Sequence, residues 1–187
     1  MHDQGREAIK AQVRDAFAEV ERPGNWALAG STEGFEPGRV AQEFADKDDW
    51  RTIDAAFLDQ SPGGLSSALS FLSDEAFRYF LPAFLLADLD GALDAVDPAF
   101  HLWHGLTDDT KSQRVNPRRY GDRTWLDSRR HKFAVFTEAE ARAIVAYLRH
   151  RQARDPLDAE RIAEALRNYW LPRARLPEDE RSGPGAP

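Results

Sequence analysis

The sequence predicts an all-α protein, and three features carry that prediction. Apolar residues recur at steps of three and four near both ends of the chain, helix-capping patterns precede several of these segments, and no stretch alternates long enough to build a sheet. The chain has 187 residues, 42% hydrophobic and 30% charged, which is sufficient for one domain with its own core. We therefore expect a compact single-domain helical bundle over residues 1–171 and a disordered tail over residues 172–187, where prolines, glycines and charges alternate.

The first predicted helix covers residues 4–21 and ends before Pro23. One apolar stripe runs along it, formed by Ile9, Val13, Ala16, Phe17 and Val20. Residues 25–38 follow as a loop, which Trp26 and Phe35 are expected to hold against the protein. Short helices are expected near residues 39–46, 52–60 and 65–71.

A central helix is predicted from Ser73 onward. Serine is a favoured N-cap residue, and two acidic residues follow it in the first turn, where they oppose the positive end of a helix. Apolar residues then lie on both faces of the segment, which indicates a buried helix. Pro82 removes a backbone donor in its middle, so we expect this helix to be kinked or split there.

A further helix is predicted over residues 138–152, because Thr137 and Glu140 have the spacing of a capping box. Residues 131–136, just before it, have the composition of a short extended segment.

The last predicted helix runs from Asp158, its expected N-cap, through Trp170. Leu157 and Ile162 have the spacing of a hydrophobic staple, so they are expected to pack together at the entry of this helix.

The central segment Ser-Asp-Glu-Ala-Phe-Arg-Tyr-Phe-Leu-Pro-Ala-Phe-Leu, from Ser73 to Leu85, resembles the motif of an uncharacterised bacterial family of small proteins, a domain of unknown function. The end of the first helix at residues 16–24 and the segments beginning at Thr137 and Ala165 match it in the same order. The resemblance covers most of the chain. It implies a bacterial source and brings no activity with it.

Several function classes lack the residues that they need. The chain has no cysteine, which excludes disulfides, thiolate metal sites and cysteine nucleophiles, and suits a reducing cytoplasm. No GxSxG, GxGxxG or GxxxxGK[ST] pattern is present, so nothing favours a hydrolase, a dinucleotide enzyme or a kinase. We expect a binding protein rather than an enzyme, with no cofactor.

Nothing in the sequence indicates a membrane partner. The most apolar run, residues 79–87, is far shorter than the ~20 residues that a spanning helix needs. The first residues also lack the apolar core of a signal peptide, so we expect a cytoplasmic protein.

His101 and His104 stand three residues apart, so on one helical turn they could share a divalent metal. Two imidazoles are too few ligands by themselves, and no HExxH pattern supplies a general base. We therefore expect no bound metal, and a metal-dependent enzyme centred on these histidines is the least favoured hypothesis.

Charge is unevenly distributed along the chain. The net charge is −7, without the basic excess of a general nucleic-acid binder. Residues 1–106 hold 8 basic and 19 acidic side chains, whereas residues 107–154 hold 12 basic and 6 acidic ones.

The acidic excess favours a protein partner that is basic. Asp46, Asp48 and Asp49 precede Trp50, and carboxylates beside an aromatic anchor are typical of surfaces that bind a basic protein. The leading hypothesis is therefore a non-catalytic protein-binding module of the immunity or antitoxin type, which occupies a basic toxin. A solvated acidic face is the plainer interpretation of the same residues.

The alternative hypothesis, less favoured from sequence, is a nucleic-acid-associated protein that uses the basic segment 114–132. Arginines there alternate with aromatic residues, a composition that grips phosphates and stacks bases. Its candidate binding residues are Arg118, Arg119, Tyr120 and Trp125. The same arginines could instead pair with the acidic half of the chain.

Overall fold

The computed structural model describes residues 2–60 and 68–176. Within them the all-α prediction is confirmed, because the chain forms helices and turns, and its β-type pairing is limited to isolated bridges. The chain divides into two compact units between His101 and Leu102. The single domain predicted over residues 1–171 stays a prediction.

The first unit is built around one buried helix. Its helices are α1 (His2–Ala16), α2 (Phe35–Glu43), α3 (Ala55–Leu58), α4 (Asp74–Leu89) and α5 (Pro98–Trp103), the last of which crosses the division. The 3-10 turns of this unit cover Asn25–Ala27, Trp50–Thr52 and Ala68–Ser70. The predicted helices near residues 39–46, 52–60 and 65–71 are therefore shifted or shortened, and residues 61–67 lie outside the described part of the chain.

The predicted capping and burial of α4 are confirmed. Ser73 Oγ accepts a hydrogen bond from the Ala76 amide at 3.1 Å. The helix is continuous through Pro82, so of the two expected outcomes the split is wrong and the kink stays a prediction. Proline inside a helix costs about 3 kcal/mol. Burial of each large apolar side chain returns about 1.5–3 kcal/mol, and α4 buries Phe77, Phe80 and Phe84 among others.

The loop before α2 is held by its backbone rather than by its aromatic residues. Trp26 is 92% exposed and Phe35 is 76% exposed, so the expectation that they anchor the loop is wrong. Instead, the Ser73 amide donates to the Leu28 carbonyl at 2.9 Å, and the Gly30 amide donates to a carbonyl just before α4 at 2.8 Å. A side chain at Gly30 would meet backbone at 3.1 Å, which explains the glycine.

A single carboxylate organises the segment between α4 and α5. Asp59 Oδ1 accepts hydrogen bonds from the amides of Asp94, Ala95 and Val96 at 3.0, 2.8 and 3.0 Å. Burial raises the pKa of Asp59, but the three amides outweigh that effect and hold the pKa below its usual value. The ionised carboxylate thus ties α3 to the chain that precedes α5.

The second unit is arranged around α8. Its helices are α6 (Pro117–Tyr120), α7 (Trp125–Lys132), α8 (Glu138–Arg154), α9 (Ala159–Ala165) and α10 (Leu171–Ala174). The predicted capping box is confirmed, because Thr137 Oγ1 accepts from the Glu140 amide at 3.2 Å and Glu140 accepts from the Thr137 amide at 3.1 Å. The inward face predicted for this helix, Ala141, Ile144, Val145 and Leu148, is buried.

The last helical segment departs from the prediction at both ends. Asp158 stands at the N-cap position of α9, but its side chain makes no capping bond and pairs with Arg161 at 2.8 Å instead. Leu157 is 87% exposed, so the predicted staple is wrong. A π-helical turn, Leu166–Trp170, links α9 to α10, and Trp170 Nε1 donates to the Leu102 carbonyl at 2.8 Å.

The chain stays helical beyond residue 171. Pro172 lies in the first turn of α10, where proline is tolerated because the missing amide would have no partner there. Ala174 is fully buried, so the expectation that the tail begins at residue 172 is wrong. The rest of the predicted tail, residues 177–187, lies outside the described residues.

The extended segment expected over residues 131–136 is also wrong. His131 and Lys132 end α7, and Phe133–Val135 form a 3-10 turn that leads into α8. Phe133 and Phe136 are buried against Trp170, with ring centroids 4.9 and 5.9 Å away, so aromatic packing explains their apolar character. Among the helices of residues 2–60 and 68–176, none is long and apolar enough to cross a bilayer.

Replacing Phe84 by alanine should lower the free energy of unfolding by about 3–5 kcal/mol, because the fully buried ring on α4 leaves a cavity. Urea denaturation measures this change. Phe35→Ala is the matched control, since that ring is 76% exposed, and it should change stability by less than about 0.5 kcal/mol. Equal losses in the two variants would contradict the buried position of α4.

Asp59→Asn should destabilise the protein by about 1 kcal/mol at neutral pH, because a charged acceptor shared by three amides is lost near solvent. The pKa of Asp59 is lowered by folding, so its contribution exists above the unfolded pKa of about 3.9 and disappears as the pH falls through the lower folded value. Thermal unfolding from pH 7 to pH 2 should show the two proteins converge in acid. Asp94→Asn, which removes a charge from the same segment, should show no such convergence.

Candidate anion-binding surface

The basic segment is a closed and structured loop on the second unit. The Val115 amide donates to the Arg123 carbonyl at 2.9 Å, and the Trp125 amide donates to the Gln113 carbonyl at 2.9 Å. These bonds pair the two arms of the loop and leave residues 116–122 as its tip. The two hydrogen-bonded arms therefore hold the tip in a defined position.

The tip carries a cluster of arginines around one aromatic ring. Tyr120 is 42% exposed, and the guanidinium carbons of Arg119 and Arg123 lie 5.4 and 5.8 Å from its ring centroid. Arg118 is exposed and forms no ion pair within the described residues. A ring held by cations, beside a further exposed cation, can stack on a planar group and bind an adjacent anion.

Trp125, predicted to belong to the same binding group, is partly buried. Its ring centroid lies 4.8 Å from that of His104, and the Arg129 guanidinium lies 5.4 Å from it. Gly105 turns beneath this ring with φ +81°, and a side chain there would meet Trp125 at 3.0 Å. Trp125 therefore anchors α7, while Tyr120 remains the open ring of the segment.

Arg129 is a half-buried cation without a carboxylate partner in the described part of the chain. Its Nε donates to the His104 carbonyl at 2.8 Å. Burial lowers the pKa of Arg129 to about 10, so the guanidinium remains charged at neutral pH. This charge adds a positive potential behind the exposed face of α7.

A cavity of about 460 Å³ lies beside α7 in the same unit. Its polar lining comes from Arg130, Asn168, Tyr169 and Arg173. Arg173 donates to the carbonyls of Ala134 and Phe136, and its buried Nε has no hydrogen-bond acceptor among the residues described. Burial raises the pKa of Tyr169, against the opposing effect of the two arginines, so the phenol stays a neutral donor.

An ion-pair network fastens the start of the basic segment to the π-helical turn. Asp108 accepts from Lys111 at 2.7 Å, from Asn168 at 2.9 Å and from Arg167 at 2.6 Å. The Lys111 hydrogen bond is the largest effect that lowers the pKa of Asp108 to about 2. This carboxylate is occupied by its own cations, so it does not oppose an anion at the cavity next to it.

The acidic stretch is compensated by neighbouring cations. Asp46 pairs with Lys47 at 2.6 Å, Asp48 lies 3.8 Å from Arg22, and Asp49 pairs with Arg51 at 3.0 Å. A hydrogen bond from Lys47 is the main effect that lowers the pKa of Asp46. A hydrogen bond from the Arg51 amide is the main effect that lowers the pKa of Asp49.

The stretch also lacks its expected aromatic anchor. Trp50 is 1% exposed, so its ring is not available on the surface beside the aspartates. Its burial follows from packing of the 3-10 turn Trp50–Thr52 against α4. The side chains of Asp46, Asp48 and Asp49 are 77%, 89% and 45% exposed, so the predicted acidic surface is formed mainly by the first two residues.

The two histidines considered as metal ligands occupy packed positions. His101 is buried in α5, and burial lowers the pKa of His104, with Arg129 acting in the same direction. No group of three or more potential metal-ligating side chains occurs within residues 2–60 and 68–176.

Sequence patterns missed the cavity because its residues come from distant segments. Arg173 was assigned to the tail on account of the prolines around it, although Pro172 only opens α10. Thr124 and Asp127 form a capping box at the start of α7, and their spacing in the sequence could have predicted this helix within the basic segment.

Comparison with known proteins identifies the family of the chain. No curated protein and no solved structure matches it. A family model, described as a family of unknown function, matches residues 5–174. That range includes both units and every residue of the candidate surface. The chain therefore belongs to the DUF6714 family.

Proposed function

We propose that this protein binds single-stranded nucleic acid through the tip of the basic segment. The observation that carries the proposal is Tyr120, an exposed ring flanked by Arg119 and Arg123 and preceded along the tip by the exposed Arg118. Aromatic rings stack on unpaired bases, and arginines neutralise the phosphates between them. Because the two arms of the loop are joined by hydrogen bonds, the loop loses less conformational entropy on binding.

The cavity beside α7 extends the same chemistry. Arg130 and Arg173 supply cations, and Tyr169 supplies a neutral hydrogen-bond donor. The amide nitrogen of Asn168 already donates to a backbone carbonyl and to Asp108, so this residue only shapes the lining. A phosphate group accepts from arginine and tyrosine donors with all of its oxygens. A strand bound at the tip and running along α7 would place a phosphate where Arg173 has a donor without an acceptor.

The hypothesis of a basic protein partner, such as a toxin that this chain would inhibit, is retained as a second proposal. It is supported by the exposed carboxylates of Asp46 and Asp48. Their attraction for a partner is reduced by Lys47 and Arg22, and the buried Trp50 supplies no anchor. For these reasons we place nucleic-acid binding first, in contrast to the order that charge composition suggests.

Arg118→Ala combined with Arg119→Ala should weaken binding to a short single-stranded RNA or DNA by at least about tenfold at low salt, measured by fluorescence anisotropy. Each phosphate contact contributes about 0.7 to the slope of log affinity against log salt, so the slope should fall by about 1.4. Arg39→Ala combined with Arg154→Ala removes the same charge from exposed helical positions and should leave the affinity unchanged.

The proposal fails if the wild-type protein shows no saturable binding, or if both arginine pairs reduce it equally. Loss of a basic protein partner in Asp46→Lys with Asp48→Lys, together with full function of the Arg118 and Arg119 variant, would establish the second proposal instead.

Tyr120→Ala should also weaken binding. The expected loss is about 1–3 kcal/mol, which is the contribution of one base stacked on an aromatic ring. Tyr120→Phe keeps the ring and should bind like the wild type, which separates stacking from a role of the hydroxyl. The salt slope should not change in either variant, because no charge is removed. An unchanged affinity in Tyr120→Ala would rule out stacking at the tip.

A further inference from the structure

A second cavity, of about 360 Å³, lies within the first unit and has the features of a small-molecule site. One wall is apolar and comes from α4 through Ala83, Leu86 and Ala87. Its polar lining is formed by Arg14, Trp50, Arg51 and Asp90. Sites for small ligands are typically of about 300–1,000 Å³ with an apolar lining and a few placed polar groups.

The indole N–H of Trp50 is a hydrogen-bond donor without an acceptor among the described residues. Its nitrogen, Nε1, is buried. A buried donor without an acceptor is destabilising, so such groups call for a partner. Because Trp50 also lines the cavity, a ligand oxygen that reaches the indole would supply the acceptor that the described residues lack.

The charges around the cavity select an anion with a single negative charge. Asp90 is neutralised by Lys10 at 2.7 Å, and Arg51 is paired with Asp49 at 3.0 Å. Arg14 lies at the end of α1 and forms no ion pair among the residues described, which leaves one uncompensated cation on the lining. One uncompensated cation balances one negative charge, and a carboxylate matches the planar guanidinium.

The second arginine of the lining, Arg51, is held in place by two contacts. The Arg51 guanidinium lies 4.7 Å from the Trp50 ring centroid and donates to the Ala18 carbonyl at 2.7 Å. The wall formed by Trp50 and Arg51 is therefore preorganised before any ligand arrives, and preorganised donors lower the entropic cost of binding.

We propose that this cavity binds a small carboxylic acid with a compact apolar body, whose carboxylate pairs with Arg14 and whose apolar part lies against α4. The site lies in the first unit and is independent of the nucleic-acid proposal for the second unit.

The test uses benzoate as the probe and the full chain labelled with ¹⁵N. Benzoate should shift the indole N–H resonance of Trp50 in a saturable manner, because the N–H gains an acceptor. Trp50→Phe assigns the resonance among the five tryptophans. Benzyl alcohol, of the same shape without the charge, should bind at least about tenfold more weakly, as expected for loss of a charge-assisted hydrogen bond.

Arg14→Gln should weaken benzoate binding by about tenfold, since the paired cation is lost from an exposed helix position. Arg39→Gln, at an exposed position on α2, should leave binding unchanged. Ala87→Leu fills the cavity without changing charge and should abolish binding, so the proposal remains testable even if Trp50→Phe does not fold. Absence of a saturable shift at Trp50, or an equal affinity in Arg14→Gln and Arg39→Gln, would overturn the proposal.

Discussion

Burial of α4 is the constraint on which the first unit depends. The helix is apolar on both sides, so α1, α3 and the turn that contains Trp50 must all cover it. The tyrosine on this helix, Tyr79, is buried and satisfies its hydroxyl by donating to the Asp48 carbonyl at 2.7 Å. That bond fixes the backbone of the acidic stretch, and it explains why Trp50 points into the protein rather than toward a partner. The same helix supplies the apolar wall of the cavity near Arg14.

Arginine has two separate uses in this chain, and composition alone does not distinguish them. Of the basic residues, 21 are arginine and 4 are lysine. Several guanidinium groups donate hydrogen bonds to backbone carbonyls. Arg22, for example, donates to the carbonyls of Pro23, Phe44, Ala45 and Lys47. A planar group with five donors suits this role better than an ammonium does. At the tip, in contrast, Arg119 and Arg123 contact an aromatic ring and lie at the surface, where a ligand could reach them.

Local patterns predicted helices well where the determining interactions lie within one turn. Ser73, Thr137 and Glu140 cap their helices as expected, because capping depends on residues three positions apart. The patterns failed where a contact joins distant segments, since Leu157 was predicted to pack and is exposed, whereas Ala174 was assigned to a tail and is buried. For the same reason, the sequence predicted the tip of the candidate surface but not its cavity. The tip lies within the basic segment, but Arg173 and Tyr169 reach the cavity only through the π-helical turn that carries α10.

Net charge does not locate the charged patches on the surface, and screening explains why. At physiological ionic strength the Debye length is about 8 Å, so an anion near the surface senses the charges within its own neighbourhood rather than the total of −7. Around the acidic stretch each aspartate has a cation at 2.6–3.8 Å, and the local field is small. Around α7 the half-buried Arg129 has no carboxylate partner in the described residues, and Arg130 and Arg173 line one cavity. An acidic chain can thus carry a locally positive patch among its described residues, which is the physical basis for proposing an anionic ligand on the second unit.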